Sequence, residues 1–159
     1  MSHESFLIHE DASDTTIYQG KRFEVLSVGD DKAWMTLNLT YVRNHGASWG
    51  LMRELPNAFR RVVLLSLGLI FSMLLCLAAI KFDENGSSSL AAALVLMVAG
   101  SFGNLIDRVR LGYVIDFITV RGALGSKTWA LPTFNVADMI IVISLFLVIT
   151  MASKKKNTV

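Results

Sequence analysis

Three stretches of the chain are apolar over the length of a bilayer: Val62 to Ile80, Leu90 to Ile106, and about Val136 to Ala152. Each approaches the roughly 20 residues a spanning helix needs. The first two are separated by Asp83-Glu84-Asn85-Gly86-Ser87-Ser88-Ser89, a short run of helix-breaking and locally hydrogen-bonding residues that predicts an antiparallel helical hairpin. Ala99 and Gly103, four apart on the second helix, predict a small-residue face for close helix packing. Residues 107 to 133 carry Gly112, Gly122, Gly125 and Pro132 and are too polar to span, so an extramembrane loop is expected. Ahead of the first span the period changes from helical to two. Arg22 to Val28 and Trp34 to Val42 alternate with β-branched and aromatic residues around Gly29-Asp30-Asp31, which predicts two strands and their turn. The pattern predicts an α-helical integral membrane protein with three transmembrane helices and a small extramembrane β-sheet. Residues 1–61 form the β-rich segment, 62–152 the helical domain with its 107–133 loop, and 153–159 a basic tail.

Composition strengthens the membrane reading. Of 159 residues 53% are apolar, with a mean hydropathy of +0.50, more than a soluble domain of this size carries. Fifteen Lys and Arg against thirteen Asp and Glu give a net charge of +2, with no basic and aromatic interleaving, so nucleic acid is not an expected partner. The single cysteine, Cys76, is mid-span, which excludes a disulfide framework and a cysteine metal site and points to packing. Residues 1 to 20 contain no apolar run of signal-peptide length. Charge leaves the orientation open: eleven of the fifteen basic residues fall on the side of the N-terminal region and the 107–133 loop, while Lys154-Lys155-Lys156 points the C-terminus inward.

Against this apolar background three acids stand out. Asp116 lies within Val114-Ile115-Asp116-Phe117-Ile118, and Asp138 follows Asn135 at the start of the third span. Asp107 lies with Asn104 and Arg108 at i, i+3 and i+4 beyond the second, on one face if the helix continues. Charge near a bilayer is costly and its default reading is function. Simpler readings exist. Arg108 can snorkel with Asp107 as its counter-ion, Asn135 and Asp138 match a helix cap with a first-turn acid, and Asp116 can be a surface acid on an amphipathic strand. Two carboxylates brought close in a partly dry site cannot both ionise easily. Such a pair suits peptide hydrolysis, one as base toward water and the other as acid toward the scissile carbonyl. His3, His9 and His45 are scattered and form no zinc motif, so no metal or other cofactor is expected.

Taken in order, Asn44-His45-Gly46-Ala47-Ser48-Trp49, Gly103-Asn104-Leu105-Ile106-Asp107-Arg108, Gly112-Tyr113-Val114-Ile115-Asp116-Phe117 and Phe134-Asn135-Val136-Ala137-Asp138 resemble the four ordered motifs of the lipoprotein signal peptidase (signal peptidase II) family. The resemblance runs from about Leu37 to the C-terminus. It implies an aspartic endopeptidase of the bacterial inner membrane, multi-pass, that removes the signal peptide of diacylglyceryl-modified prolipoproteins by cutting before the lipidated cysteine. Asp116 and Asp138 match the catalytic pair. Asn44, Gly46, Gly103, Asn104, Asp107, Arg108 and Asn135 match residues that support the site or hold substrate. The implied partners are the diacylglyceryl-cysteine prolipoprotein, membrane lipid and globomycin-like peptide inhibitors, with the active site on the outer side and the C-terminus in the cytoplasm.

Two departures from the family pattern are visible. Gly46-Ala47-Ser48-Trp49 stands where the family usually has Gly-Ala-Ala-Phe, a change of size at a substrate-facing rim. The family has four spanning helices, and the first, ending in an Asp-Gln pair, has no counterpart here. The expectation is a chain that starts late or a shortened paralogue. The alternative is a noncatalytic paralogue that binds lipidated prolipoproteins without cleaving them. A proton-relaying membrane subunit fits less well, because these acids lie at span ends rather than at mid-membrane depth.

Overall fold

A computed structural model of the chain describes residues 16–18, 22–46 and 56–156. They belong to two compact units, one drawn from Met1–Glu54 and Tyr113–Asn135, the other from Leu55–Gly112 and Val136–Val159.

The second unit is three helices, α1 (Asn57–Glu84), α2 (Ser88–Arg110) and α3 (Val136–Lys156). At 28 residues α1 is about 42 Å long, and all three are long and apolar enough to cross a membrane. The helix α2 contacts both of the others. Half of its apolar window is buried, against 11% for α1 and 6% for α3. The outward faces of α1 and α3, among them Leu67, Phe71, Leu74, Val142 and Phe146, stay apolar and exposed, as spans in contact with lipid do. Cys76 is on that exposed face, which corrects the expectation of a packing role. Toward α2, α1 turns Gly68, against the Leu105 side chain, and farther along its length Ala79 is buried with Ala91 and Leu94 of α2. Small residues let helices without a hydrophobic driving force between them approach closely.

The hairpin expected between the first two spans is tight. The Asn85 Nδ2 and backbone N–H both donate to the Lys81 carbonyl, at 2.8 and 3.2 Å. Gly86 takes φ +70°, and Ser87 N–H donates to the Phe82 carbonyl at 2.8 Å. The left-handed residue satisfies carbonyls that the end of α1 leaves open and reverses the chain within three residues. At the other end of α2, Arg61 of α1 donates to the Val109 carbonyl at 2.6 Å, a cation at the negative end of a helix. The α2 helix runs four residues beyond its expected end at Ile106, which places Asp107 and Arg108 inside it with Asn104.

The first unit is an antiparallel sheet of β1 (Thr16–Tyr18), β2 (Phe23–Gly29), β3 (Ala33–Asn44), β4 (Val114–Leu124) and β5 (Lys127–Ala130). The strands β1 and β2 share one edge of β3, β4 lies along the other, and β5 pairs with β4. The predicted strands are β2 and β3, and the Asp30 carboxylate holds their turn by accepting from Lys32 and Ala33 N–H at 2.9 and 3.0 Å. The expected loop over 107–133 is instead largely strand. The strand β4 pairs with β3 on one side, and its other side meets Phe134 through an isolated bridge at Ile118 and β5 from Arg121 to Leu124, so its polar and glycine positions do not interrupt it.

Register gives the sheet two unlike faces. Leu39 pairs with Phe23 and Ile118, Leu37 with Leu26 and Val120, and Met35 with Val28 and Gly122, and alternation puts these side chains on one face. Phe23, Leu26, Val28, Met35 and Leu39 remain exposed there. The reverse face carries Glu24, Ser27, Thr36, Asn38 and Thr119, whose hydroxyl bonds Thr40 at 2.9 Å and Thr133 at 3.2 Å.

Between Leu39 and Val42 the register shifts by one, because three steps along β3 match two along β4. Such a bulge inverts the alternation beyond it. A regular ladder continued from Leu39 would set Tyr41 opposite Asp116 and Arg43 opposite Val114. The bulge instead sets Val42 and Asn44 there, on the apolar face, with Asp116 at that face's end.

Candidate active site

In the sheet unit, Asp116 is 3% exposed and both of its oxygens are engaged. Asn44 Nδ2 donates to Oδ2 at 2.9 Å, and Asn135 Nδ2 donates to Oδ1 at 2.9 Å. Asn135, 4% exposed, arrives from the opposite side of β4 because Phe117 and Ile118 N–H both donate to the Phe134 carbonyl, at 3.0 and 2.8 Å. Asn44 ends β3 and its Oδ1 accepts the Gly46 N–H at 3.1 Å, so its amide is oriented from behind as well. A buried carboxylate needs such donors, since desolvation without them is costly, and two amides approaching opposite oxygens fix the plane of the carboxyl group.

In the helical unit the second acid is held separately. Asn104 Nδ2 of α2 donates to Asp138 Oδ1 of α3 at 2.7 Å, the short distance of a charge-assisted bond. Gly100, Gly103, Asn104 and Asp107 follow i, i+3, i+4 and i+7 and share one side of α2. The two glycines permit the approach: a Cβ on Gly100 would lie 2.7 Å from the Ala137 carbonyl oxygen, and one on Gly103 3.1 Å from Ala137 Cβ. Asp138 sits in the first turn of α3, directly after Ala137, where the helix N-terminus favours an acid. Arg108 Nη1 reaches back one turn to the Asn104 carbonyl at 3.3 Å, and Asp107 is half-buried on the same stretch.

The structure thus brings Asn44 and Asn135 to Asp116, with Gly46 on Asn44, in one unit, and Asn104 to Asp138, with Gly103 against Ala137, in the other. Ala47, Ser48 and Trp49 of the first motif lie outside the described residues, as do residues 1–15. Ala99 is exposed rather than packed, and the small face is Gly100 with Gly103. The Gly100-Ser101-Phe102-Gly103 spacing carried that signal in the sequence.

Comparisons with known proteins point to one family. The family model described as signal peptidase (SPase) II matches residues 12–153. The lipoprotein signal peptidase of Syntrophus aciditrophicus is 41% identical over 121 residues, 76% of this chain and 72% of that protein. The one from Buchnera aphidicola subsp. Schizaphis graminum is 35% identical over 126 residues, 79% of this chain and 74% of that protein. Among solved structures, a bacterial membrane enzyme determined by the in meso method at 2.3 Å resolution is similar at a TM-score of 0.58 and 27% identity, over 87% of this chain and 74% of that one.

Proposed function

This chain belongs to the signal peptidase II family, and from that premise we propose that it removes signal peptides from prolipoproteins by aspartic catalysis, with Asp116 and Asp138 as the catalytic pair. The observation that carries the proposal is that each acid of the resemblance is separately held by a carboxamide N–H from a residue remote in sequence: 72 and 19 residues away for Asp116, 34 for Asp138. A capping or surface acid has no need of such partners.

In the proposed reaction one carboxylate takes a proton from water, whose oxygen attacks the scissile carbonyl carbon. The other, protonated, gives its proton to the carbonyl oxygen. The tetrahedral intermediate then collapses, the C–N bond breaks, and the amine nitrogen leaves with a proton from the pair. Asn44, Asn135 and Asn104 hold the two carboxyl groups in fixed planes, so little reorganisation accompanies the transfer. Asp107 and Arg108 support the end of α2 that carries Asn104, and Gly46 fixes Asn44.

The proposed substrate is a prolipoprotein with a diacylglyceryl-modified cysteine, cut before that cysteine. The apolar face of the sheet, ending in Asp116, supports this reading, since it suits an extended apolar segment or acyl chains. Globomycin-like peptide inhibitors would compete for the same place. The test is cleavage of a diacylglyceryl-modified prolipoprotein by the whole chain in lipid. Asp116→Asn and Asp138→Asn are each expected to lower kcat by at least about 1,000-fold with the protein still inserted. Retained cleavage by either variant overturns the dyad, and binding without cleavage by the native chain would identify a noncatalytic relative.

A further inference from the structure

Asn44 is the last residue of β3, at the point where its ladders to Thr16 of β1 and Val114 of β4 end, and strand ends fray. Yet its amide must stay within hydrogen-bond reach of a buried carboxylate, where a misplacement of about 1 Å is enough to slow a reaction strongly. Something has to hold that end.

The residues flanking Asn44 do so from the reverse face of the sheet. Alternation places Arg43 and His45 on the side away from Asp116, and both meet Tyr113, the residue just before β4. The Arg43 guanidinium carbon is 5.2 Å from the Tyr113 ring centroid and 5.7 Å from that of Tyr41. The His45 ring lies 5.1 Å from Tyr113, tilted by 54°, and the Tyr41 and Tyr113 hydroxyls are 3.3 Å apart. The Arg43 Nε is buried and meets no hydrogen-bond acceptor among the described residues, so the ring faces are the visible compensation for its charge. Tyr41 is available because it occupies the bulge, the same irregularity that turns Asn44 toward Asp116. One aromatic ring therefore anchors both neighbours of Asn44 to the start of the strand that carries Asp116.

We propose that Tyr113 is a positioning residue for the reaction, holding Asn44 against Asp116 through Arg43 and His45. This rests on the reading of Asp116 as catalytic. The ring is the essential part, since the hydroxyl pair is long for a hydrogen bond between hydroxyls.

The test measures kcat and KM of the whole chain in lipid on a diacylglyceryl-modified prolipoprotein. Tyr113→Leu is expected to lower kcat about tenfold with KM changed less than about twofold. Tyr113→Phe, which keeps the ring, is expected within about threefold of native. In an Asn44→Ala background Tyr113→Leu is expected to add less than about twofold, because its route of action is already gone. Native kcat in Tyr113→Leu, equal loss in Tyr113→Leu and Tyr113→Phe, or full additivity with Asn44→Ala overturns the proposal. Should Tyr113→Leu fail to insert, Arg43→Met with Arg43→Lys as its conservative partner makes the same comparison. Asp116→Asn separates the two failures. If that variant cleaves at the native rate, the dyad reading falls; if it is inactive while the Tyr113 variants match native kcat, only the positioning role falls.

Discussion

Asp138 and Asp116 are held in different ways, and the difference predicts different sensitivities. Asn104 Nδ2 of α2 donates to Asp138 Oδ1 at 2.7 Å, and the carboxamides of Asn44 and Asn135 donate to the two oxygens of Asp116. Asn104→Ala removes a hydrogen bond to a charged group, which is worth about 1.5–3 kcal/mol. The expected result is a loss of about 10- to 100-fold in kcat with KM little changed, read by steady-state cleavage of a lipidated prolipoprotein. Asn44→Ala leaves Asn135 on Asp116, and a loss of about tenfold in kcat is expected in the same assay. Asp30 illustrates a purely structural acid. It is fully exposed, and the N–H groups of Ala33 and Lys32 hold its carboxyl below the ordinary carboxylate range. Its folded-state pKa is lowered, so its support of the β2–β3 turn is complete above its unfolded value of about 3.9 and is lost as pH falls through the lowered folded value. Protection of the Lys32 and Ala33 amides, taken relative to their intrinsic exchange rates at each pH, should therefore persist from pH 7 to about 4 and fall below, while Asp30→Ala should show little protection throughout. At this scale the sequence disclosed which acids were out of place, because a charge among Val114, Ile115, Phe117 and Ile118 contradicts its surroundings. It could not disclose Asn44 as a partner of Asp116 except through family resemblance, since a contact spanning 72 residues leaves no local pattern.

Among the elements, β2 and β3 were legible because each alternates between an apolar and a polar face. The strand β4 was not, since the β3 ladder carries Asp116, and ladders on both sides carry Arg121 and Gly122, in positions that average as polar loop. The bulge leaves only a faint trace, a break of phase after Leu39 where Thr40, Tyr41 and Val42 no longer keep the spacing of Met35, Leu37 and Leu39. The spans were legible in number and approximate place, though composition alone ended them short of the observed helices. Helix facing was harder: Ala99 and Gly100 are adjacent small residues, and only the position of α3 separates them. That separation is testable. A side chain at 100 would meet the Ala137 backbone oxygen at 2.7 Å, an atom that cannot yield without moving α3. Ala99 is exposed. Gly100→Leu should destabilise the protein by about 1–3 kcal/mol, as overpacking does, and Ala99→Leu should change it by less than about 0.5 kcal/mol, measured as unfolding midpoints in the same detergent. Equal effects at the two positions would contradict the assigned α2–α3 face.

For the molecule as a whole, charge and chemistry pull in opposite directions over orientation. The first turn of α1, the end of α2 and the start of α3 lie at one end of the helical unit, with Arg60, Arg61, Arg108 and Arg110. The turn after α1 and the end of α3, where Met151 approaches Ser87 to Leu90, lie at the other, with Lys81 and the Lys154 to Lys156 run. These are four basic residues at each end, but counted over the whole chain eleven of the fifteen fall on the acid-bearing side, which would put that end in the cytoplasm. Arg61 and Arg108 are nevertheless spent on the Val109 and Asn104 carbonyls, so part of that count is helix-end chemistry rather than a topological signal. If the chain acts as proposed on a translocated signal peptide, its acids are expected at the outer surface and the lysine run on the cytoplasmic side, beside anionic lipid. Cysteine labelling decides between the two. In a Cys76→Ser background, Ser126→Cys in the exposed β4–β5 turn and Ser153→Cys near the end of α3 report the two sides. A membrane-impermeant maleimide applied to intact spheroplasts is expected to label Ser126→Cys fully and Ser153→Cys only after lysis. The reverse pattern would place Asp116 and Asp138 where no translocated signal peptide can reach them, and would overturn the peptidase reading together with the orientation.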